Sequence, residues 1–130
     1  MKYLFDVSSL IAFGLGQHQF HRRVFRWAHS ERKASFFTCS ISELGFVRIL
    51  SQSSTYGFQV AEALELLMQM KSNPALPLAF LPDTEDIASL PSWAKTPAQT
   101  TDGHLVRLAI AHGAVLATFD TKIPGAHVIP

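Results

Sequence analysis

The stretch TTDGHLVRLAIAHGAVLATFD, residues 100–120, says most about the fold. Its first part, TTDGHLVRLAIAHG, predicts a helix that begins near Thr101 or Asp102 and ends at Gly113, because glycine commonly follows the last helical residue. Its second part, AVLATF, is almost entirely apolar, which is typical of a strand covered on both faces of a parallel sheet. A helix that leads directly into a buried strand is part of a β–α–β unit, so the stretch indicates an α/β fold.

The rest of the chain repeats this alternation. The segments KYLF, ASFFT, LPLAFLPD and AHVIP predict further strands, and the clearest helix runs roughly from Phe58 to Lys71 in FQVAEALELLMQMKS. Pro91 and Pro97 predict a short helix and then an irregular loop before Thr101. No hairpin signal joins two strands. We therefore expect a single domain over residues 1–130, with three α/β/α layers around a central parallel sheet of four to five strands.

The composition limits the classes of protein to consider. Of 130 residues, 48% are hydrophobic and 16% are charged, which excludes a disordered chain. The net charge of +1 means that any nucleic-acid binding requires a local basic patch. The single cysteine, Cys39, excludes an internal disulfide and a cysteine-based zinc site. The sequence shows no signal peptide and no apolar run of ~20 residues, so we expect a cytoplasmic protein without a membrane segment.

Four acidic residues fall where a parallel sheet binds its ligands, beyond the carboxyl ends of the strands. Asp6 directly follows KYLF and Asp120 directly follows AVLATF. Glu43 lies one turn into the helix that leaves ASFFT, and Asp102 is expected to open the helix that feeds AVLATF. Clustered carboxylates without histidine or cysteine suit a hard ion such as Mg²⁺ or Mn²⁺, which assists phosphodiester hydrolysis.

Each of these acids also has an ordinary structural interpretation. Asp6 and Asp102 are good N-caps for the helices expected to start beside them. Glu43 is equally consistent with a solvated helix position, and Asp120 with a turn residue. Position alone does not choose between these interpretations and a metal site.

Three segments, LFDVSSLIA, TCSISELGFVRIL and the stretch quoted first, give the chain a resemblance to the PIN-domain nucleases, and in particular to the VapC-type toxins of bacterial toxin–antitoxin pairs. The segments occur in the family's order and span nearly the whole chain, from Asp6 to Asp120. The resemblance implies a metal-dependent endoribonuclease that acts as the toxin of a type II pair. The alternative is a non-catalytic PIN-like module that binds RNA or another protein.

The resemblance also implies roles for individual residues. Asp6, Asp102 and Asp120 are expected to hold Mg²⁺ or Mn²⁺ directly or through water, with Glu43 assisting. Ser8 stands two positions after the first acid, where many relatives carry Asn, and it retains a hydroxyl acceptor but no amide donor. The weaker site candidates are Thr101, Thr118 and Arg48.

Two further segments predict binding surfaces. FHRRVFRWAHS places Arg22, Arg23 and Arg26 around an apolar stripe, which suggests contacts with RNA phosphates, although a solvated helix face is the simpler interpretation. The helix from Phe58 to Lys71 is apolar nearly all round, so in a small domain its outer face needs a partner. The resemblance supplies the cognate antitoxin as that partner. A homodimer is the competing explanation, and both can hold together.

Overall fold

The computed structural model describes residues 1–130 and contains five strands, five α-helices and one 3₁₀ turn. The strands are β1 (Lys2–Phe5), β2 (Ser35–Thr38), β3 (Leu78–Phe80), β4 (Val115–Thr118) and β5 (His127–Val128). The helices are α1 (Val7–Gly14), α2 (His21–Ser30), α3 (Ser40–Gln52), α4 (Val60–Ser72) and α5 (Pro97–Ala111), and the 3₁₀ turn covers Ile87–Ser89. None of the helices combines the length and apolar character needed to cross a bilayer.

The five strands form one sheet in the order β3-β2-β1-β4-β5, and all four strand pairs are parallel. This confirms the predicted parallel sheet. From β1 the chain builds outward to β2 and β3 on one side, and β4 and β5 then fill the other side. The order therefore reverses between β1 and β4, and the crevice at such a switch point is where open α/β sheets bind their ligands.

Helices cover both faces of the sheet, as the three-layer prediction requires. Side chains alternate along β1, so Tyr3 and Phe5 face a core built with α1, α2, α3 and α4. Leu4 faces the opposite way and packs in a second core with Leu105 and Leu108 of α5. Since both cores are continuous with the sheet, the carboxyl ends of β1 and β4 are fixed relative to each other.

The predicted start of α5 is wrong. The helix begins at Pro97, one turn before Thr101, and Thr96 caps it through a capping box with Gln99. Pro97 occupies the first helical turn, where its missing N–H costs nothing, so this proline starts the helix instead of interrupting it. Asp102 consequently lies in the second turn and does not cap the helix.

Candidate active site

Asp6 lies at the crevice between β1 and β4 and is buried. It is the N-cap of α1, and its Oδ1 accepts hydrogen bonds from the backbone N–H of Ser9 at 2.8 Å and from the Ser9 hydroxyl at 2.7 Å. The backbone N–H of Asp6 donates to the carbonyl of Ala117 in β4 at 3.3 Å. The capping interpretation of Asp6 is therefore correct. The two hydrogen bonds from Ser9 fix the carboxylate at the sheet edge, and both are accepted by Oδ1.

Asp120 follows β4 at the same edge, in a turn that two local hydrogen bonds stabilise. The hydroxyl of buried Thr118 accepts the N–H of Asp120 at 3.0 Å, and Oδ1 of Asp120 accepts the N–H of Lys122 at 2.8 Å. The turn interpretation of Asp120 is thus correct as well. Its side chain is exposed, so the carboxylate is accessible from solvent while its backbone is held in place.

Asp102 lies half-buried on α5. Burial raises the pKa of its carboxyl group, and the negative charges of Asp6 and Asp120 raise it further. The structure therefore places three of the four predicted carboxylates within electrostatic reach of one another at one edge of the sheet. No three His, Cys, Asp or Glu side chains are already close enough to enclose an ion, which is consistent with mutual repulsion among these carboxylates.

This repulsion predicts that Asp102→Asn stabilises the fold in the absence of divalent ions. A carboxyl group whose pKa is raised by folding favours the folded state most below its unfolded pKa, and that contribution is lost as the pH rises through the folded pKa. We expect the variant to raise Tm at pH 7, with the difference shrinking toward pH ~4. Thermal denaturation in chelator at both pH values measures this. Asp86→Asn is the control, and an unchanged or lower Tm for Asp102→Asn at pH 7 contradicts the prediction.

Glu43 is not the solvated helix residue that its spacing allowed. Its Oε2 accepts a hydrogen bond from the hydroxyl of buried Thr38, the last residue of β2. The same oxygen lies 2.7 Å from Nζ of Lys71 in the last turn of α4. No local pattern in the sequence indicates Lys71 as the partner of Glu43, because the two residues are 28 positions apart.

Of the weaker candidates, Thr118 supports Asp120, whereas Ser8, Thr101 and Arg48 form no contact that defines a role. Ser8 is exposed, and it is the next residue, Ser9, that supports Asp6. A serine three positions after a helix-capping acid was a local signal that could have identified Ser9. Thr101 and Arg48 are both exposed, and Arg48 forms no ion pair with Glu43. The roles of Ser8, Thr101 and Arg48 stay predictions.

The three arginines of α2 are not equivalent. Arg23 donates hydrogen bonds to the carbonyl oxygens of Ile129 at 2.6 Å and Pro130 at 2.9 Å. Its guanidinium also lies 5.1 Å from the ring centre of Phe119. Arg23 thereby fastens the C-terminal segment to α2, which gives it a structural role that the sequence did not predict.

Arg22 and Arg26 are exposed and form no ion pair. They line a groove of about 640 Å³ together with Phe20 and Trp27. The ring of Phe20 packs 4.9 Å from that of Phe119, the residue before Asp120. The basic groove therefore lies beside the edge that carries the aspartates.

The outer face of α4 is apolar and uncovered. Its side chains Val60, Leu64 and Met68 are 54%, 46% and 51% exposed, and the neighbouring Leu44 of α3 is 70% exposed. Between α3 and α4 runs an open groove of about 490 Å³, with Glu43 among its lining residues. We call this surface the α3–α4 groove. The buried side of the same helix carries Ala63, Leu67 and Met70.

Comparison with known proteins gives relatives over almost the full chain. Ribonuclease VapC44 of Mycobacterium tuberculosis is 32% identical over 137 aligned positions, which cover 97% of this chain and 94% of the relative. Ribonucleases VapC39 and VapC38 of the same organism are 29% and 28% identical, and the matches cover 95% and 92% of this chain. No family model matches the sequence.

A solved structure supports the fold. The crystal structure of VapBC2 from Rickettsia felis, bound to a DNA fragment from its promoter, contains a chain that superposes with a TM-score of 0.58 at 14% identity. The match covers 98% of this chain and 97% of that one. With a relative 32% identical over nearly its whole length, and with the parallel sheet and its acidic edge in place, the chain belongs to the VapC ribonuclease family.

Proposed function

We propose that this protein is a metal-dependent endoribonuclease that acts as the toxin of a type II toxin–antitoxin pair. The observation that supports the proposal is the position of Asp6 and Asp120 at the switch point of the sheet, where their charges act on Asp102 of α5. The names of the relatives, all ribonucleases, supply the reaction class.

The donor set fits Mg²⁺ or Mn²⁺. Asp6, Asp102 and Asp120 offer only carboxylate oxygens, the ligands that these hard ions prefer. Burial raises the pKa of Asp102, and the charges of Asp6 and Asp120 raise it further, so a bound cation would relieve the repulsion among the three carboxylates. Binding requires the side chains to move toward one another from their present positions. A bound divalent ion supplies a water of lowered pKa and stabilises charge on the phosphoryl group.

The chain's own residues prepare this edge. Ser9 holds Oδ1 of Asp6, so the other carboxylate oxygen is free of these contacts. Thr118 fixes the backbone of Asp120. Glu43 is fixed at the end of β2 by Thr38 and Lys71. Carboxylates that are already oriented lose less conformational freedom when an ion and a phosphodiester bind.

The basic groove on α2 is the proposed path for the RNA strand. Arg22 and Arg26 offer guanidinium groups to phosphates, and the half-buried ring of Phe20 offers aromatic surface to bases. Arg23 contributes through its hold on the C-terminal segment and its position over Phe119. An unchanged salt dependence of RNA binding after Arg22→Gln and Arg26→Gln would contradict this assignment.

The α3–α4 groove is the proposed site of the cognate antitoxin. The solved relative from Rickettsia felis is a VapBC pair. A group of neighbouring exposed apolar side chains, such as those on α4 and Leu44 of α3, is typical of a protein interface. Glu43 lines the same groove, so the groove reaches the acidic edge. Leu64→Glu should then abolish co-purification with the antitoxin. A second copy of the chain is the competing occupant, and loss of a homodimer in the same variant would identify it.

The direct test is cleavage of RNA by the purified chain. We expect fragments only when Mg²⁺ or Mn²⁺ is present, complete inhibition by chelator, and recovery when the ion is restored. The proposed hydrolysis leaves a 5′-phosphate and a 3′-hydroxyl, and ligation of an adapter to the fragments reads out both ends. Lys33→Met, at a distant exposed position, should retain full activity.

Asp102→Asn, purified in parallel, separates the activity from a contaminating nuclease. Cleavage at the same rate by this variant, or by wild type in chelator, would overturn the proposal. RNA binding without any cleavage by wild type would favour the non-catalytic PIN-like module instead.

A further inference from the structure

Glu43 and Lys71 form an ion pair at the β2 end of the acidic edge. Nζ of Lys71 lies 2.7 Å from Oε2 of Glu43, and the two side chains are only 23% and 18% exposed. The Thr38 hydroxyl donates to the same oxygen. Both contacts use Oε2, so they hold the carboxylate in one orientation, balance its charge and leave Oε1 uncommitted.

Lys71 is held in place independently of Glu43. It extends from the last turn of α4, and its ammonium lies 5.2 Å from the ring centre of Phe80, the last residue of β3. An ammonium over an aromatic ring gains a cation–π interaction. Because the pair is mostly buried, removing one partner leaves the other charge uncompensated. The lysine is therefore a fixed positive charge at the carboxyl edge of the sheet.

The four carboxylates consequently divide into two groups. Asp6, Asp102 and Asp120 form no ion pair with any side chain. Three uncompensated aspartates suit one divalent ion, whereas the charge of Glu43 is already met by an ammonium.

We propose that Lys71 takes the place of a second divalent cation at Glu43, so that the chain binds a single Mg²⁺ or Mn²⁺ at the three aspartates. The inference rests on the proposed function, because it concerns how many ions the same edge accepts. Lys71 acts as a positioning residue through Glu43. Its ammonium supplies the positive charge at Glu43 that a second metal ion would otherwise supply.

Titration calorimetry with Mn²⁺ on the full-length chain tests this. We expect one Mn²⁺ per chain for wild type. Lys71→Met keeps the unbranched stem but removes the charge, and we expect it to bind a second Mn²⁺ at the released Glu43. Combining Lys71→Met with Glu43→Gln should restore a stoichiometry of one, because the released carboxylate is then absent.

Two variants serve as matched controls. Lys71→Arg keeps the positive charge and should bind one Mn²⁺. Lys33→Met makes the same substitution at an exposed lysine before β2, at the opposite edge of the sheet, and should also bind one. The rise in Tm at saturating Mn²⁺ gives a second readout, which should be larger for Lys71→Met than for either control.

The outcomes separate this inference from the proposed function. Two Mn²⁺ ions bound by wild type, or one bound by folded Lys71→Met, would overturn the role of Lys71 while leaving metal-dependent cleavage intact. A wild-type stoichiometry of two would overturn the inference even if Lys71→Met fails to fold. No Mn²⁺ binding by wild type would instead overturn the metal site on which both proposals depend.

Discussion

Asp6→Asn should reduce RNA cleavage by about 100- to 1,000-fold while the protein stays folded. Losing a carboxylate from a metal site removes several kcal/mol of transition-state stabilisation, and each tenfold in rate corresponds to about 1.4 kcal/mol. The amide oxygen of Asn can still accept from the backbone N–H and hydroxyl of Ser9, which now bind Oδ1 of Asp6 at 2.8 and 2.7 Å. Since Asn caps helices as well as Asp does, α1 should keep its start.

Two other variants distinguish the roles of this residue. Asp6→Ala removes both the ligand and the cap, so it should lose the same activity and also about 1 kcal/mol of stability. Asp86→Asn makes the matched change at another N-cap, where Oδ1 accepts the N–H of Ala88 at 2.8 Å outside the acidic edge, and should keep full activity. The measurements are initial cleavage rates with saturating Mn²⁺ and Tm. Activity of Asp6→Asn within tenfold of wild type would remove Asp6 from the site.

Gly45→Ala should destabilise the fold by about 1–2 kcal/mol, which corresponds to roughly 4–8 °C in Tm. A Cβ built at Gly45 would lie 2.5 Å from Cγ2 and 2.9 Å from Cγ1 of Val7, so α3 and α1 could not remain at their present distance. Val7 cannot easily turn away because its branched side chain is restricted at χ1. The better helix propensity of Ala, worth about 1 kcal/mol, offsets only part of this cost.

The contact between Gly45 and Val7 also links packing to chemistry. Val7 directly follows Asp6, and Gly45 lies two positions after Glu43, so separating the helices should displace both carboxylates and lower the cleavage rate.

A double-mutant cycle tests whether this contact is the cause. Val7→Ala should restore part of the stability lost in Gly45→Ala, giving a clearly non-additive pair. Gly16→Ala is the control, because a Cβ there meets nothing within 4 Å. Additive losses in the cycle would show that the close approach is not responsible.

Half of the acidic edge was predictable from strand ends, because two of its acids follow strand signals directly. Asp6 and Asp120 come directly after apolar runs, and a parallel sheet brings the carboxyl ends of its strands to one edge. The structural interpretations of these residues were correct at the same time, since Asp6 caps α1 and Asp120 sits in a turn. At this edge, caps and turns are the means by which the backbone holds the carboxylates in position.

The start of α5 was mispredicted because proline has opposite meanings at different helix positions. Pro97 looked like an interruption, whereas Thr96 and Gln99 form a capping box around it and make it the first residue of the helix. The prediction placed Asp102 at the start of the helix, whereas in the structure it lies in the second turn. There the carboxyl group is partly buried against Asp6 and Asp120, which is the origin of its raised pKa.

The sequence by itself determined the alternation of strands and helices, the parallel sheet and the residues that end its strands, because periodicity and strand-end position are local properties of the chain. Only the tertiary structure decided the strand order, the pairing of Glu43 with Lys71 and the use of Arg23 to hold the C-terminal segment. These contacts join residues from 28 to 107 positions apart. They depend on how helices pack over the sheet, and no local pattern encodes which side chains that packing brings together.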